Sequence, residues 1–173
     1  PLIKILQSPV CELFTRAVKA LGQIGDVRAV DPLIDIVYSQ ADRWVRLFAI
    51  EALGRIGDMR AIEALADMTD DPSQDVRTKA VVALGEIPYP LALDALHYIS
   101  ADPHVSRADR QAALFELGKR RDPRALDGLT DLLLEDPFIE TRVYAALVLG
   151  HMDDPRATGA LLGRGGAPRA REA

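Results

Sequence analysis

Residues 49–65 of the chain read AIEALGRIGDMRAIEAL, and this stretch decides the fold. The pattern is that of the end of one helix, a tight turn at Gly57-Asp58 and the start of a second helix. Its Leu-Gly pair recurs along the chain, with glycines 32, 31, 33 and 32 residues apart: Gly22, Gly54, Gly85, Gly118 and Gly150. A register that holds over most of the chain predicts a repeat architecture.

Two alanines and a leucine keep a fixed distance from each of these repeat glycines. An alanine stands five residues before the glycine: Ala17, Ala49, Ala80, Ala113 and Ala145. A second alanine stands seven residues after it: Ala29, Ala61, Ala92, Ala125 and Ala157. A leucine stands eleven residues after it: Leu33, Leu65, Leu96, Leu129 and Leu161. Each repeat is therefore predicted to form two helices, A before the turn and B after it, whose small alanines let helix axes approach closely.

The composition is that of a soluble folded protein, with 49% hydrophobic and 27% charged residues among 173. A single cysteine, Cys11, excludes an internal disulfide framework. No apolar run reaches the roughly 18 residues that a membrane span needs, and no signal-peptide pattern is present. These features predict a cytoplasmic setting with no membrane contact, and the net charge of −5 disfavours nucleic acid as a partner.

The register also predicts the boundaries of the repeats. Residues 1–8 match residues 32–39 at an offset of 31, which predicts an N-terminal half repeat and a chain that is part of a longer protein. A repeat solenoid is predicted over 1–162, followed by a flexible basic tail at 163–173. The predicted full repeats are 9–40, 41–72, 73–103, 104–136 and 137–162.

Turn and cap residues fit this division. Gly25-Asp26 and Gly57-Asp58 combine a residue that tolerates positive φ with a side chain that can cap helix B. The predicted N-caps of A helices are Asp42, Ser73 and Ser106.

The pattern Val45-Arg46-x-x-Ala49-x-x-Ala52-Leu53-Gly54-x-Ile56-Gly57-Asp58-x-x-Ala61-Ile62-x-x-Leu65 resembles the short HEAT repeats called PBS-lyase HEAT-like. This resemblance covers nearly the whole chain. It implies an all-α, right-handed α-solenoid of about five two-helix repeats plus the half repeat, with B helices lining the concave face. Proteins with such repeats include phycobilin lyase subunits, deoxyhypusine hydroxylase and scaffolds that only bind other proteins.

The iron site of deoxyhypusine hydroxylase, formed by His-Glu pairs, is not expected here. The sequence has no His-Glu dipeptide, and His97, His104 and His151 occupy unrelated repeat positions. No catalytic triad, P-loop or dinucleotide motif is present either. We therefore predict no catalytic residue, no metal and no cofactor, while a phycobilin lyase-like or lyase-chaperone subunit remains the alternative function.

Acidic residues concentrate in the B helices and the joints that follow them. Segments 29–42, 61–73, 91–106 and 125–138 contain thirteen Asp or Glu and no Lys or Arg. The B helices are predicted to present a partner-binding acidic strip with a less charged centre: Asp31, Asp35, Glu63, Asp67, Asp94, His97, Tyr98, Asp127 and Asp131. The alternative is that these carboxylates form an ordinary solvated face.

Other charged and aromatic positions leave two interpretations each. Arginines eight residues before the repeat glycines form either an anion-binding ladder or structural hydrogen bonds to turn carbonyls or to an aspartate of an adjacent repeat, such as Asp26, Asp58, Asp122 or Asp154: Arg46, Arg77, Arg110 and Arg142. Trp44 is either a contact anchor or packs over the joint to the previous repeat. Basic residues gathered in the fourth repeat allow a nucleic-acid-binding array, which the acidic strip disfavours.

Taken together, these patterns predict a non-enzymatic protein–protein interaction scaffold. Its partner is expected to be another protein with a basic surface or segment, which the acidic strip attracts.

Overall fold

The computed structural model describes residues 11–39 and 42–162, so the predicted half repeat and the predicted basic tail lie outside the described residues. Ten α-helices and no strand occur within these ranges. The helices are α1 (Cys11–Ile24), α2 (Val30–Tyr38), α3 (Arg43–Ile56), α4 (Ala61–Asp67), α5 (Gln74–Glu86), α6 (Pro90–Ala101), α7 (Arg107–Lys119), α8 (Leu126–Glu135), α9 (Ile139–His151) and α10 (Pro155–Leu161). Short 3₁₀ helices extend three of the B helices: Val27–Ala29, Met68–Asp70 and Pro123–Ala125.

The helices alternate as the repeat register predicts. Odd-numbered helices are the A helices and carry the repeat glycine near their end, whereas even-numbered helices are the B helices. The chain divides into two compact units, unit 1 to Ala113 and unit 2 from Leu114, so α7 contributes its first half to one and its second half to the other.

The core of each unit consists of the residues that keep the register. In unit 1 the recurring leucines Leu33, Leu65 and Leu96 are fully buried, and in unit 2 Leu129 is fully buried. The recurring alanines are buried in both units as well. Leu161, which ends α10, keeps the register but is exposed.

The repeat glycines lie inside the A helices and permit close packing between successive A helices. A Cβ atom added to Gly22 would lie 2.8 Å from the Cα of Ala52, and one added to Gly54 would lie 2.8 Å from the Cα of Ala83. Contacts this short are essentially absent from real structures. The predicted close approach is confirmed, with the glycine of one A helix facing an alanine of the next.

In four of the five repeats, the turn between helices A and B has one residue with positive φ, three positions after the repeat glycine; the third repeat has Pro88 there instead. Gly25 and Gly57 hold this position with φ of 71° and 70°, as predicted. In the later repeats the position is held by Arg121 with φ of 58° and Asp153 with φ of 53°. Non-glycine residues in this region lose about 1–2 kcal/mol because Cβ crowds the following carbonyl oxygen.

Arg121→Gly is therefore expected to increase the free energy of unfolding by about 1 kcal/mol, because glycine removes the left-handed strain. The change also removes an exposed ion pair between Arg121 and Asp153, which contributes only a few tenths of a kcal/mol, roughly. Arg121→Ala is the control, since alanine loses the ion pair and keeps the strain. If denaturant unfolding gives the same free energy for both variants, the backbone conformation of this turn is not strained.

Two of the three predicted N-caps of A helices are confirmed. The side chain of Asp42 accepts a hydrogen bond from the backbone N–H of Trp44 at 2.9 Å. The Oγ of Ser106 accepts one from the backbone N–H of Asp109 at 3.2 Å. Ser73 precedes α5 but makes no side-chain cap, so that prediction is wrong; instead its own N–H donates to Oδ1 of Asp71 at 2.8 Å.

Candidate interaction surface

The carboxylates of the predicted acidic strip lie on the surface of the B helices. In unit 1, α2, α4 and α6 follow one another, with contacts between α2 and α4 and between α4 and α6. In unit 2, α8 carries the two remaining carboxylates. All nine predicted residues are exposed: Asp31, Asp35, Glu63, Asp67, Asp94, His97, Tyr98, Asp127 and Asp131.

Hydrogen bonds connect the strip between α2 and α4. The hydroxyl of Tyr38, at the end of α2, donates to Oδ2 of Asp67 on α4 at 2.6 Å. This hydrogen bond, together with partial burial and the charge of Glu63, raises the pKa of Tyr38 to about 12. Tyr38 was not among the residues predicted from sequence, although its half-exposed ring lies beside the strip carboxylates.

One cation reaches the strip from the turn that precedes α4. The guanidinium of Arg60 lies 3.0 Å from both carboxylate oxygens of Asp31 and also donates to the backbone carbonyl of Val27. Arg60 stands one residue before segment 61–73, which contains no Lys or Arg. The sequence analysis counted charges only within that segment, so it missed the ion pair of Arg60 with Asp31. In contrast, Asp35 and Glu63 have no ion-pair or hydrogen-bond partner within residues 11–39 and 42–162.

Trp44 lies in the first turn of α3 with 57% of its surface exposed. The guanidinium of the neighbouring Arg43 lies 5.1 Å from the ring centroid, within the range of a cation–π contact. The indole is therefore presented to solvent at this position, which keeps it available as a contact anchor.

The arginines eight residues before the repeat glycines bind the joints between repeats. Arg46 donates to Oδ2 of Asp71 at 2.6 Å, and Arg77 donates to the carbonyl of Asp71 at 2.9 Å. Arg142 donates to the carbonyl of Asp136 at 2.9 Å. The structural interpretation is correct for these side chains. Arg77 also binds Asp109 of the adjacent repeat, as predicted, whereas Arg46 binds Asp71 and not one of the turn aspartates given as examples.

In four of the five turns an aspartate caps the start of the B segment and binds the arginine two residues later, whereas the turn before α6 has no such aspartate. Asp26 accepts from the backbone N–H of Arg28 at 2.9 Å, and the Arg28 side chain also donates to its carboxylate. These hydrogen bonds lower the pKa of Asp26 to about 2. The same Asp-x-Arg arrangement occurs at Asp58 with Arg60, Asp122 with Arg124, and Asp154 with Arg156. The predicted capping by Asp26 and Asp58 is confirmed.

Asp109 forms a buried polar cluster in unit 1 that sequence reasoning missed. Its side chain is fully buried and accepts from Nε of Arg77 at 2.8 Å, from Oγ1 of Thr78 at 3.1 Å and from Oγ of Ser106 at 2.6 Å. The available signal was positional, since Asp109 stands nine residues before its glycine, where the two preceding repeats have Val45 and Val76. A carboxylate at an apolar position of the register indicates a buried interaction.

The comparison with protein families identifies these paired helices. The family model of HEAT repeats matches residues 1–85, 31–109 and 101–173. The chain belongs to the HEAT-repeat family. This confirms the resemblance inferred from the Leu-Gly register, and the HEAT repeats here form an all-α solenoid.

Two solved structures are similar to this chain in fold. One is a chain in the complex of CpcE and CpcF of phycocyanin lyase from Nostoc sp. PCC7120, with 26% identity and a TM-score of 0.66. That match covers 94% of this chain and 64% of the other chain, so the HEAT-repeat chain spans less than two thirds of that protein's length. The other is a designed armadillo repeat protein in complex with the peptide (KR)4, with 19% identity and a TM-score of 0.57 over 95% of this chain and 86% of that chain. Comparison with curated proteins gives no match.

The described part of the HEAT repeats contains no group of three or more His, Cys, Asp or Glu arranged to hold a metal ion. Within the same residues, no helix is long and apolar enough to cross a membrane.

Proposed function

We propose that the chain is a non-enzymatic scaffold whose B-helix carboxylates bind a basic segment of another protein. The observation that supports this most directly is the pair Asp35 and Glu63, which are exposed on α2 and α4 and whose side chains have no ion-pair or hydrogen-bond partner within the described residues. Exposed carboxylates on one surface sum to a negative potential that attracts cationic side chains. Binding of a protein partner fits the HEAT-repeat fold, and the basic character of that partner is the part that we infer from charge.

Aromatic side chains accompany these carboxylates in unit 1. Tyr98 on α6 is 71% exposed, and Tyr38 on α2 is half-exposed. Tyrosine rings bury apolar area on contact while their hydroxyls keep a hydrogen bond, so they commonly anchor interfaces. We propose that a basic segment places its charges on the carboxylates and its aliphatic stems along these rings.

Removing charge from this surface is expected to weaken binding of a cationic probe. A peptide of four Lys-Arg pairs is a suitable probe, and its affinity is measured by fluorescence anisotropy at low and high salt. In the double variant Asp35→Asn/Glu63→Gln, we expect the Kd to rise by about tenfold and its salt dependence to weaken.

The control removes the same number of charges from an A helix of the same unit, Asp75→Asn/Glu86→Gln on α5, where Asp75 forms an exposed ion pair with Arg43. It is expected to change the Kd less than about twofold, because neither carboxylate belongs to the strip and salt screens the field of exposed charges. Equal losses in both double variants would show that only net charge matters, and the strip would then be a solvated face.

A phycobilin lyase-like or lyase-chaperone subunit is the second proposed function. Its support is the 26% identity with the chain from the complex of CpcE and CpcF. The test is to incubate the purified chain with phycocyanin apoprotein and its free bilin, and to follow covalent attachment by visible absorbance in denaturant. Attachment no faster than without the chain would leave the scaffold function alone.

A further inference from the structure

Arg60 joins two successive repeats of unit 1 at their turns. Its guanidinium lies 3.0 Å from both carboxylate oxygens of Asp31 and 2.9 Å from the carbonyl oxygen of Val27. Arg60 stands six residues after its repeat glycine, whereas Asp31 and Val27 stand nine and five residues after the preceding repeat glycine. The contact is therefore defined by three positions of the register.

Unit 2 contains a pair of charges at the same positions. Arg156 stands six residues after its repeat glycine, and Asp127 stands nine residues after the preceding one. The hydrogen bond of its side chain to Asp154 raises the pKa of Arg156, and the charge of Asp127 raises this pKa further. The register thus places an arginine beside the carboxylate of the preceding repeat in both units.

The third repeat lacks this arginine. Its turn reads Tyr89-Pro90-Leu91, whereas the fourth and fifth repeats have Asp-Pro-Arg at the same three positions. The backbone is similar, with φ and ψ of −113° and 142° at Tyr89 and of −102° and 125° at Asp154. Leu91 therefore stands where the other repeats have an arginine, and 56% of its surface is exposed.

The carboxylate that this arginine would bind is Glu63, nine residues after the glycine of the second repeat. The side chain of Glu63 is exposed and has no ion-pair or hydrogen-bond partner within residues 11–39 and 42–162. Asp31 occupies the same position one repeat earlier and is paired with Arg60. The leucine at position 91 accounts for this difference.

The carbonyl oxygen that completes the set belongs to Met59, which is 55% exposed. It accepts the backbone N–H of Ile62 at 3.2 Å, as the carbonyl of Val27 accepts the backbone N–H of Val30. A carbonyl oxygen has a second lone pair, which at Val27 accepts from Arg60. In the part of the chain that the structure describes, no side chain donates to the carbonyl of Met59.

We propose that the partner supplies the missing arginine, whose guanidinium binds the carboxylate of Glu63 and the carbonyl of Met59 as Arg60 binds its acceptors one repeat earlier. We call Glu63, Met59 and Leu91 the arginine site. The inference rests on the proposed function, because the arginine is one residue of the basic segment. It adds that this segment is recognised through an arginine and not through positive charge alone.

Arginine suits this site better than lysine for a geometric reason. A guanidinium presents five N–H donors in one plane, so it binds two carboxylate oxygens and a carbonyl at once, as Arg60 does. A lysine ammonium is a compact charge on a flexible stem and lacks this planar fork. The exposed side chain of Leu91 offers apolar surface to the aliphatic stem of the arginine.

Two fluorescein-labelled peptides of equal length and charge, octa-arginine and octa-lysine, test the arginine site. Their Kd values for the 173-residue protein are measured by fluorescence anisotropy at one salt concentration. We expect octa-arginine to bind about fivefold more tightly than octa-lysine. Equal affinities would overturn the arginine site and leave the proposed function standing, because both cationic peptides bind. Failure of both peptides to bind would overturn the proposed function as well.

A variant that fills the site from within the chain separates it from a general preference for arginine. Tyr89→Asp/Leu91→Arg gives the third turn the Asp-Pro-Arg sequence of the fourth and fifth turns and leaves the net charge unchanged. The introduced arginine is expected to bind Glu63, so the preference for octa-arginine falls from about fivefold to about one. Circular dichroism checks that the helices are retained. A preference that stays near fivefold in this folded variant would overturn the arginine site.

Two single variants separate the arginine site from the rest of the strip. Glu63→Gln removes the carboxylate of the site and is expected to reduce the preference for octa-arginine to about one. Asp35→Asn removes a strip carboxylate outside the site, so it is expected to weaken both peptides by a similar factor and to keep the preference. If Asp35→Asn abolishes the preference as fully as Glu63→Gln does, the arginine is not bound at Glu63.

Discussion

Gly54→Val is expected to lower the free energy of unfolding by about 3 kcal/mol, because valine cannot fit between α3 and α5. Its Cβ atom would lie 2.8 Å from the Cα and 2.9 Å from the Cβ of Ala83. The first of these atoms belongs to the backbone, so relief requires the two helices to move apart rather than a side chain to rotate. That movement opens the contact in which Ile50 and Leu53 are fully buried. Urea unfolding followed by circular dichroism measures the loss.

Gly150→Val is the matched control, because it makes the same substitution at the same position of the repeat. A Cβ atom at Gly150 meets nothing within 4 Å among the described residues. Valine is slightly better than glycine inside a helix, so we expect a change within about 0.5 kcal/mol, in the stabilising direction. Equal losses in the two variants would mean that the repeat glycines act through helix propensity and not through close packing.

Arg77→Leu is expected to lower the free energy of unfolding by about 3–5 kcal/mol, because it leaves the buried carboxylate of Asp109 without its cation. The side chain of Asp109 is fully buried, and Arg77 Nε is 2.8 Å from its Oδ2. The hydroxyls of Thr78 and Ser106 remain as donors, but neutral donors do not compensate a buried charge. The hydrogen bonds from Arg77 to the carbonyls of Asp71 and Pro72 are lost as well.

A double variant separates the buried charge from the other effects of losing Arg77. Arg77→Leu/Asp109→Val removes both charges and restores the valine that the two preceding repeats have at this position. We expect it to regain most of the lost stability, since replacing a buried ion pair by apolar residues is often neutral. Arg43→Leu breaks an exposed ion pair with Asp75 and is expected to cost less than about 1 kcal/mol. An additive loss in the double variant would show that Arg77 and Asp109 do not interact.

The burial of residues at fixed distances from the repeat glycine was predictable from sequence, because these residues pack in equivalent ways in successive repeats. Leu33, Leu65, Leu96 and Leu129 are buried at equivalent places, since equivalent residues of stacked repeats meet equivalent neighbours. The turns at Gly25 and Gly57 were predictable for a local reason, because glycine tolerates positive φ and aspartate can cap the following helix.

Positions that depart from the register were harder to predict. Arg121 and Asp153 adopt the left-handed conformation although neither is a glycine, because the two helices they join fix the turn. In the sequence, Asp109 stands in a segment that contains charged residues of both signs. Its partners, Arg77 and Thr78, come from the preceding repeat and are more than 30 residues away.

For the acidic strip, the exposure of the carboxylates was predictable from sequence, whereas the partners of these carboxylates were not. The exposure of its carboxylates was inferred from their spacing along the B helices, and each of the nine predicted residues is exposed. However, the pairing of Asp31 with Arg60 and of Asp67 with Tyr38 depends on which side chains two neighbouring repeats bring together. Binding of a basic partner by these residues stays a prediction.

The sequence by itself determined the solenoid of paired helices, the buried residues of each repeat and the capped turns. These follow from helical periodicity and turn chemistry, which act over a few residues and recur in each repeat. Only the tertiary structure decided which carboxylates are paired and where Arg77 meets Asp109. These features depend on distances between side chains of different repeats, and the spacing of residues along one helix does not define such distances.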